Sequence, residues 1–391
     1  MTKPVIIVGA SMGGLRAAEA LRRFGYAGPI TVIGEERHAP YNRPPLSKEV
    51  LAAEVSHEAV AFPQRESTAD VNWVLHTRVE SADLEHGTVT DSNGETHSYG
   101  TLIIATGLRP KRLEVTNGEL TGRHAVRTLD DAIALRKDLK AGARVVVLGA
   151  GFIGCEVAAT ARKLGCEVTV VAPGSHPITR PLGVELAKEL QRRHEAMGVK
   201  FVMKTAVTEL VGTTSIEGVL LDTGDVIFCD VLVEAIGSYP NTEWLEGNDL
   251  DLSNGVLTDN DMRAVRASGE AWPNVFAIGD VARFANPLFD ETPRRVEHWN
   301  IPTDTAKRVA QVFTGQAEGP FAPIPSFWSD QYDMHILAYG LLALADEVKL
   351  IAGEIEGECV FGYYREGKMV GVCGIGMRTT VMGYRKEFEL K

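Results

Sequence analysis

The sequence predicts an α/β chain with two Rossmann-like dinucleotide-binding domains and a C-terminal α+β domain. Three observations predict it. An apolar strand runs straight into a glycine string at Val5 to Val8, before Gly9-Ala10-Ser11-Met12-Gly13-Gly14. The arrangement recurs at Arg144 to Leu148, before Gly149-Ala150-Gly151-Phe152-Ile153-Gly154, and each string leads into a helical spacing and a second strand. Beyond residue 320 the pattern changes to alternating segments, Lys349 to Ile355, Cys359 to Tyr364 and Met369 to Ile375, which read as antiparallel strands.

In the first unit Leu15, Ala18 and Leu21 share one face of a helix running from Leu15 to Phe24, and Ile30 to Ile33 is the second strand. Glycines at the turn let the backbone approach a pyrophosphate, and the helix N-terminus offers free N–H groups and partial positive charge. Glu35, about twenty residues past the last glycine, is placed to accept hydrogen bonds from an adenosine ribose. Ser11 departs from the pattern by taking the middle glycine position. One such string also fits a tight strand-to-helix turn without a ligand; two in one chain argue for nucleotides.

The second unit carries a full GxGxxG, a helix from Cys155 to Leu164 and a strand from Glu167 to Val171. Three more apolar strands stop at a glycine: Thr101 to Gly107 (TLIIATG), Val231 to Gly237 (VLVEAIG) and Val275 to Asp280 (VFAIGD). Such stops are expected at the carboxyl ends of a parallel sheet, where ligands sit. Arg109-Pro110 and Tyr239-Pro240 read as loop hinges between units.

A chain of 391 residues exceeds one domain core. Its formal net charge of -12 argues against nucleic acid as a partner. The five cysteines form no CxxC pair and read as buried free thiols in a reducing cytoplasm. No apolar run approaches the roughly 18 residues of a membrane span, and MTKPVIIVGASMGG lacks the features of a signal peptide. A cytoplasmic protein with no membrane contact and no metal site is expected.

Four strings, PYNRPPLSK (40–48), GFIGCE (151–156), RRVEHWN (294–300) and PSFWSDQYD (325–333), together resemble the FAD-dependent ferredoxin reductases that serve bacterial cytochromes P450 and Rieske-type oxygenases. The resemblance implies a glutathione reductase-type fold, with a discontinuous FAD domain at 1–112 and 242–320. An NAD(P) domain would occupy 113–241 and a C-terminal domain 321–391. In dithiol members of that fold the segment at Ala39 to Lys48 carries two redox cysteines. Here it carries none, so electrons must leave by another route.

Further roles are implied residue by residue. FAD would be held by Gly9, Ser11, Gly13, Gly14 and Glu35, with Arg43, Lys48 and Val79 from the segment that follows. Ala105, Thr106 and Gly107 would add contacts, as would Arg127, Gly279 and Asp280, the last accepting from the ribityl hydroxyls. Asp280 can also cap a helix beginning near Val281. The nicotinamide dinucleotide would lie on Gly149, Gly151, Phe152, Ile153, Gly154 and Gly237.

Lys48 would stand at the flavin N5 edge, paired with Glu156, the cation stabilising the anionic reduced ring and the carboxylate tempering it. Trp299, flanked by Glu297 and His298, would lie near the flavin and the incoming nicotinamide and serve as an electron exit. Each has a plainer alternative: Lys48 as a solvated helix residue, Glu156 as a helix-dipole partner, Arg127 as a surface arginine and Trp299 as core.

The family's usual glutamate at the end of the second unit's second strand is Ala172 here, with Ser175, His176 and Arg180 nearby. Arg180 matches a position that is also basic in NADH-using relatives, so NADH is the expected donor and NADPH the alternative. The expected partner is a small iron–sulfur ferredoxin, of 2Fe-2S or similar type. It would dock on Arg294, Arg295, Lys307 and Arg308 beside Trp299, unless these form an ordinary solvated face. A monomer or weak dimer is expected. The competing readings are an NADH oxidase or peroxidase, a rubredoxin reductase, and an apoptosis-inducing-factor-like redox signalling flavoprotein. The oxidase is disfavoured by the missing cysteine, the signalling protein by the missing targeting segment and basic surface.

Overall fold

Val5–Val8 is buried along its whole length, as a strand covered on both faces must be. It pairs in parallel with Ile30–Ile33 on one side and Thr101–Ile104 on the other. The sheet has six strands, in the order Arg263–Val265, Ala271–Ala277, Thr101–Ile104, Val5–Val8, Ile30–Ile33, Asn72–Val74. The computed structural model describes residues 4–115 and 119–388, so the polar lead-in Thr2-Lys3 lies outside the described residues. Helix Met12–Arg23 buries Leu15, Ala18 and Leu21, the face its spacing predicts. The two leucines, fully buried, contribute roughly 1.5–3 kcal/mol each.

A second parallel sheet runs Lys200–Met203, Glu167–Ala172, Arg144–Leu148, Val231–Glu234, Arg123–His124. Its helix, Phe152–Lys163, starts three residues before the predicted Cys155, because extended Gly151 is the residue that ends the turn. Beyond it lies a five-stranded antiparallel sheet ordered Ser326–Gln331, Met334–Gly340, Lys368–Ile375, Cys359–Arg365, Glu347–Gly353, followed by helix Arg378–Gly383. The three strands expected there are present within two residues at each end. All five cysteines are buried and unpaired. Among the described residues, no helix is long and apolar enough to cross a membrane.

Two local expectations are corrected. The loops at Arg109-Pro110 and Tyr239-Pro240 are a two-stranded antiparallel ribbon, Leu108–Pro110 against Ser238–Pro240. Proline is tolerated because a two-stranded ribbon consists only of edges. The Arg109 guanidinium locks the ribbon by donating to Pro240 O, Asn241 Oδ1 and Glu243 Oε1. The helix expected near Val281 is a single 3-10 turn, Gly279–Val281, that passes into strand Ala282–Asn286. Ala282, Phe284 and Asn286 are buried alternately, and this period-two pattern wins over the capping signal of Asp280. The helix packed on the turn is Ile301–Phe313, whose Thr305 hydroxyl accepts from Gly279 N at 3.1 Å.

Candidate active site

The two glycine turns are matched in detail. Gly9 has φ +119 and Gly149 φ +99, and a Cβ on either would stand 2.2 Å from the carbonyl oxygen of Ala105 or Ala235. Gly14 and Gly154 let the helix cross the turn, since a Cβ there would meet Gly9 O at 2.0 Å or Gly149 O at 2.1 Å. The middle position differs: a Cβ on Gly151 would meet nothing within 4 Å. Ser11 is therefore sterically admissible, and its hydroxyl accepts from Arg43 Nη2 at 3.2 Å and Nε at 3.3 Å. Neither helix has a side-chain cap or an acid in its first turn. The orphan N–H groups of both thus remain available to an anion.

Arg43 is a hub. It donates to Glu36 Oε1 at 2.5 Å, to Tyr41 Oη at 3.3 Å and to the carbonyl of Arg127. Burial pulls the Arg43 guanidinium down, but Glu36 and Tyr41 more than offset it, and its pKa is raised. Tyr41 in turn donates to Glu36 Oε2 and accepts from Leu129 N. A capping box between Thr128 and Asp131 starts helix Leu129–Asp138 just beyond Arg127. Arg127 lies 3.6 Å from Asp280; burial first and the Arg43 charge second lower its pKa, while Asp280 opposes them. Glu36 was not singled out from sequence, although it is the second acid of Gly34-Glu35-Glu36. Glu35 itself is exposed, 4.0 Å from Arg78.

Lys48 follows a 3-10 turn, Pro44–Ser47, and donates to Glu156 Oε2 at 2.6 Å. Glu156, on helix Phe152–Lys163, is 4% exposed and also accepts from Ser47 Oγ at 2.5 Å and Ser329 Oγ at 2.6 Å. Neither serine was anticipated. The Ser329 contact needs the third sheet folded against the second unit, which no local pattern carries. The lysine's Nζ further donates to the carbonyl of Pro44 at 3.1 Å.

Trp299 is 40% exposed rather than core, donates to Asn42 Oδ1 at 3.4 Å, and meets the half-exposed Trp328 edge-on at 5.3 Å. His298 packs against Phe327 at 5.0 Å; its Nδ1 is buried without a partner, and burial pushes its pKa down to about 4. The docking cluster is corrected. Arg308 is buried and paired with Asp261 at 2.6 Å, Arg294 with Asp290 at 2.5 Å, and Arg295 with Glu297 at 2.8 Å. Only Lys307 of the four is exposed. Lys307 and Arg308 are successive residues roughly 100° apart on the helix, and only Lys307 reaches solvent.

A cleft of about 1940 Å³ joins these groups, from Gly9, Ser11 and Gly13 past Val79, Ala105, Thr106 and Gly107 to Asp280, and on to Gly151, Ile153 and Gly237. Arg43, Lys48, Arg127, Glu156, Glu297, His298 and Trp299 line it as well. The predicted Gly14, Gly149 and Gly154 are not part of its lining; they serve the backbone crossings. Its size is about twice the upper end of a single-ligand pocket, roughly 1,000 Å³. With two uncapped helix N-termini opening onto one cleft, the residues fit FAD and a second dinucleotide. At the far strand end Ala172 is buried, the His176 ring is tied to Gln191 at 2.9 Å, and Lys204 N donates to Gly174 O.

Comparison with known proteins matches residues 3–307 to a family described as pyridine nucleotide-disulphide oxidoreductase, and residues 326–390 to one described as reductase C-terminal. The chain is 35% identical over 390 residues to the ferredoxin--NAD(+) reductase component of the anthranilate 1,2-dioxygenase system of Burkholderia cepacia, covering 98% of this chain and 93% of that one. It is 35% identical over 350 residues to a rubredoxin-NAD(+) reductase of Pseudomonas putida, covering 89% and 88%. Among solved structures, the covalent putidaredoxin reductase-putidaredoxin complex superposes with a TM-score of 0.92 at 27% identity, covering 99% and 93%. The ferredoxin reductase for the CYP199A2 system of Rhodopseudomonas palustris gives 0.91 at 33%, covering 98% and 93%.

Proposed function

The chain belongs to the pyridine nucleotide-disulphide oxidoreductase family, and from that membership we propose an FAD-dependent reductase that takes electrons from NADH and passes them singly to a small iron–sulfur ferredoxin of an oxygenase system. The observation that carries the proposal is the Lys48–Glu156 pair, at 2.6 Å, in the segment where dithiol members hold cysteines. A cation fixed there suits a flavin that trades electrons with an external partner instead of an internal disulfide.

The first domain, residues 1–112 with 242–320, would hold FAD through the Gly9 turn, Arg43 and Asp280, with Arg127 reaching it from the second. Residues 113–241 would hold the nicotinamide dinucleotide through the Gly149 turn and Gly237. Bound FAD would supply the step from paired to single electrons. The chain's own part is electrostatic and positional. Lys48 offers a fixed positive charge, Glu156 limits it, and Ile153 and Trp299 line the same cleft. Trp299 and Trp328 expose a paired aromatic surface at this cleft, where a partner's iron–sulfur centre would approach. NADH is the proposed donor, with weak discrimination against NADPH, because no carboxylate ends strand Glu167–Ala172 to select a ribose 2′-hydroxyl.

A rubredoxin partner is the second reading, favoured by the 35% identity to rubredoxin reductases. One experiment separates them. The purified protein should show a flavin spectrum that NADH bleaches, and should reduce cytochrome c only when a 2Fe-2S ferredoxin is added. Equal or faster turnover with rubredoxin would favour the second reading; absence of bound flavin would overturn both.

A further inference from the structure

We infer that Ser329, Gln331 and His194 form a buried positioning chain that holds the Glu156 carboxylate, and through it sets the field of Lys48 at the flavin. The inference rests on the reading of this cleft as a flavin site. It concerns residues from three parts of the fold. Lys48 lies in the first, Glu156 and His194 sit on helices of the second, and Ser329 and Gln331 belong to strand Ser326–Gln331 of the third.

Each link is short. Ser329 Oγ lies 2.6 Å from Glu156 Oε1, Gln331 Nε2 lies 2.9 Å from Ser329 Oγ, and His194 Nε2 lies 2.8 Å from Gln331 Oε1. Ser329 and Gln331 are each 1% exposed and His194 is fully buried. The carboxylate fixes the direction of every bond, because it can only accept. The Ser329 hydroxyl must donate to Glu156. Its oxygen then accepts from the Gln331 amide, and the Gln331 carbonyl accepts from His194 Nε2–H.

His194 is thereby held as the neutral tautomer with its proton on Nε2. Its bare Nδ1 has no partner and the ring lies edge-on to Phe201 and Tyr332. Burial lowers its pKa, in accord with a neutral ring. Polar groups this deep are costly where packing alone is needed, since apolar residues of like volume would serve at lower desolvation cost. A chain whose every bond points toward one carboxylate is accounted for by that carboxylate.

The Ser329 hydroxyl spreads part of the Glu156 charge away from the flavin side. Removing it concentrates negative charge beside Lys48, weakens the cation's field and disfavours an anionic reduced ring. The test measures the midpoint potential of bound FAD and the anaerobic rate of its reduction by NADH in Ser329→Ala, Glu156→Gln and the double variant. Ser329→Ala should lower the potential and slow reduction about tenfold, the scale of one lost hydrogen bond to a charged group. On the Glu156→Gln background the same change should add nothing. Wild-type values in Ser329→Ala, or an equal effect without the Glu156 charge, would overturn the inference. Should Ser329→Ala not fold, Gln331→Met is read in the same way, and wild-type values there overturn it too. A wild-type protein that binds no flavin defeats the underlying reductase reading instead, so the two failures are distinguishable.

Discussion

Lys48 Nζ stands 2.6 Å from Glu156 Oε2, joining the segment behind the first glycine turn to the helix behind the second across 108 residues. Glu156 is nearly inaccessible, and Lys48 keeps a side-chain exposure of 16%. Both line the cleft, and the lysine is the more exposed of the two.

The glycine turns make contrasting predictions. Gly9→Ala and Gly149→Ala force a Cβ to 2.2 Å from a carbonyl oxygen at positive φ, and should cost about 3 kcal/mol or more, read as a lowered melting temperature. Gly151→Ala meets no protein atom within 4 Å and should leave melting unchanged while raising the KM for NADH, because Gly151 lines the cleft at the second glycine turn.

Two substitutions separate the buried Arg308 from the exposed aromatic surface at Trp328. Arg308→Glu breaks a buried pair with Asp261 and should impair NADH-driven reduction of ferricyanide and of ferredoxin together, through instability of about 3 kcal/mol. Trp328→Ala should raise the KM for ferredoxin several-fold and leave ferricyanide reduction close to wild type.

Cofactor choice turns on one strand end. Ala172→Glu puts a carboxylate at the end of strand Glu167–Ala172, a charge that would repel a 2′-phosphate, and should raise the ratio of NADH to NADPH efficiency about tenfold, measured as kcat/KM for each. An unchanged ratio would remove Ala172 from the account.

Stability should fall with acid because of His298. Its folded pKa of about 4 lies below its ordinary value of 6.5, so the unfolded chain binds the proton first. Stability is full above roughly pH 6.5 and is lost as pH falls toward 4, by at most about 3 kcal/mol. Asp290, held low by Arg294, adds a loss at still lower pH. His298→Leu should flatten the melting profile between pH 6.5 and 4.

Much of this site was legible because its signals are local. The glycine strings, the strands before them and the helix after each are contiguous; the structure has both helices, each starting three residues earlier than read, at Met12 and Phe152. Lys48 and Glu156 are not contiguous; matching PYNRPPLSK and GFIGCE to a family supplied a pairing that no periodicity contains. Ser329 was inside the matched PSFWSDQYD string, yet its bond to Glu156 exists only once the third sheet packs on the second unit. Arg308 misled for the opposite reason. A charged residue on an amphipathic helix reads as solvated until its partner, Asp261, is seen across 47 residues. Pro110 and Pro240 read as breakers, and only their mutual pairing turns them into a ribbon.

The most direct test of the account is anaerobic reduction of bound FAD by NADH in Lys48→Met, followed by stopped flow with FAD content measured on the same sample. Retained FAD with reduction slowed at least tenfold and a lowered flavin potential is the expected result. Loss of FAD with unchanged kinetics in the remaining holoprotein would contradict it, leaving Lys48 and Glu156 as a structural pair.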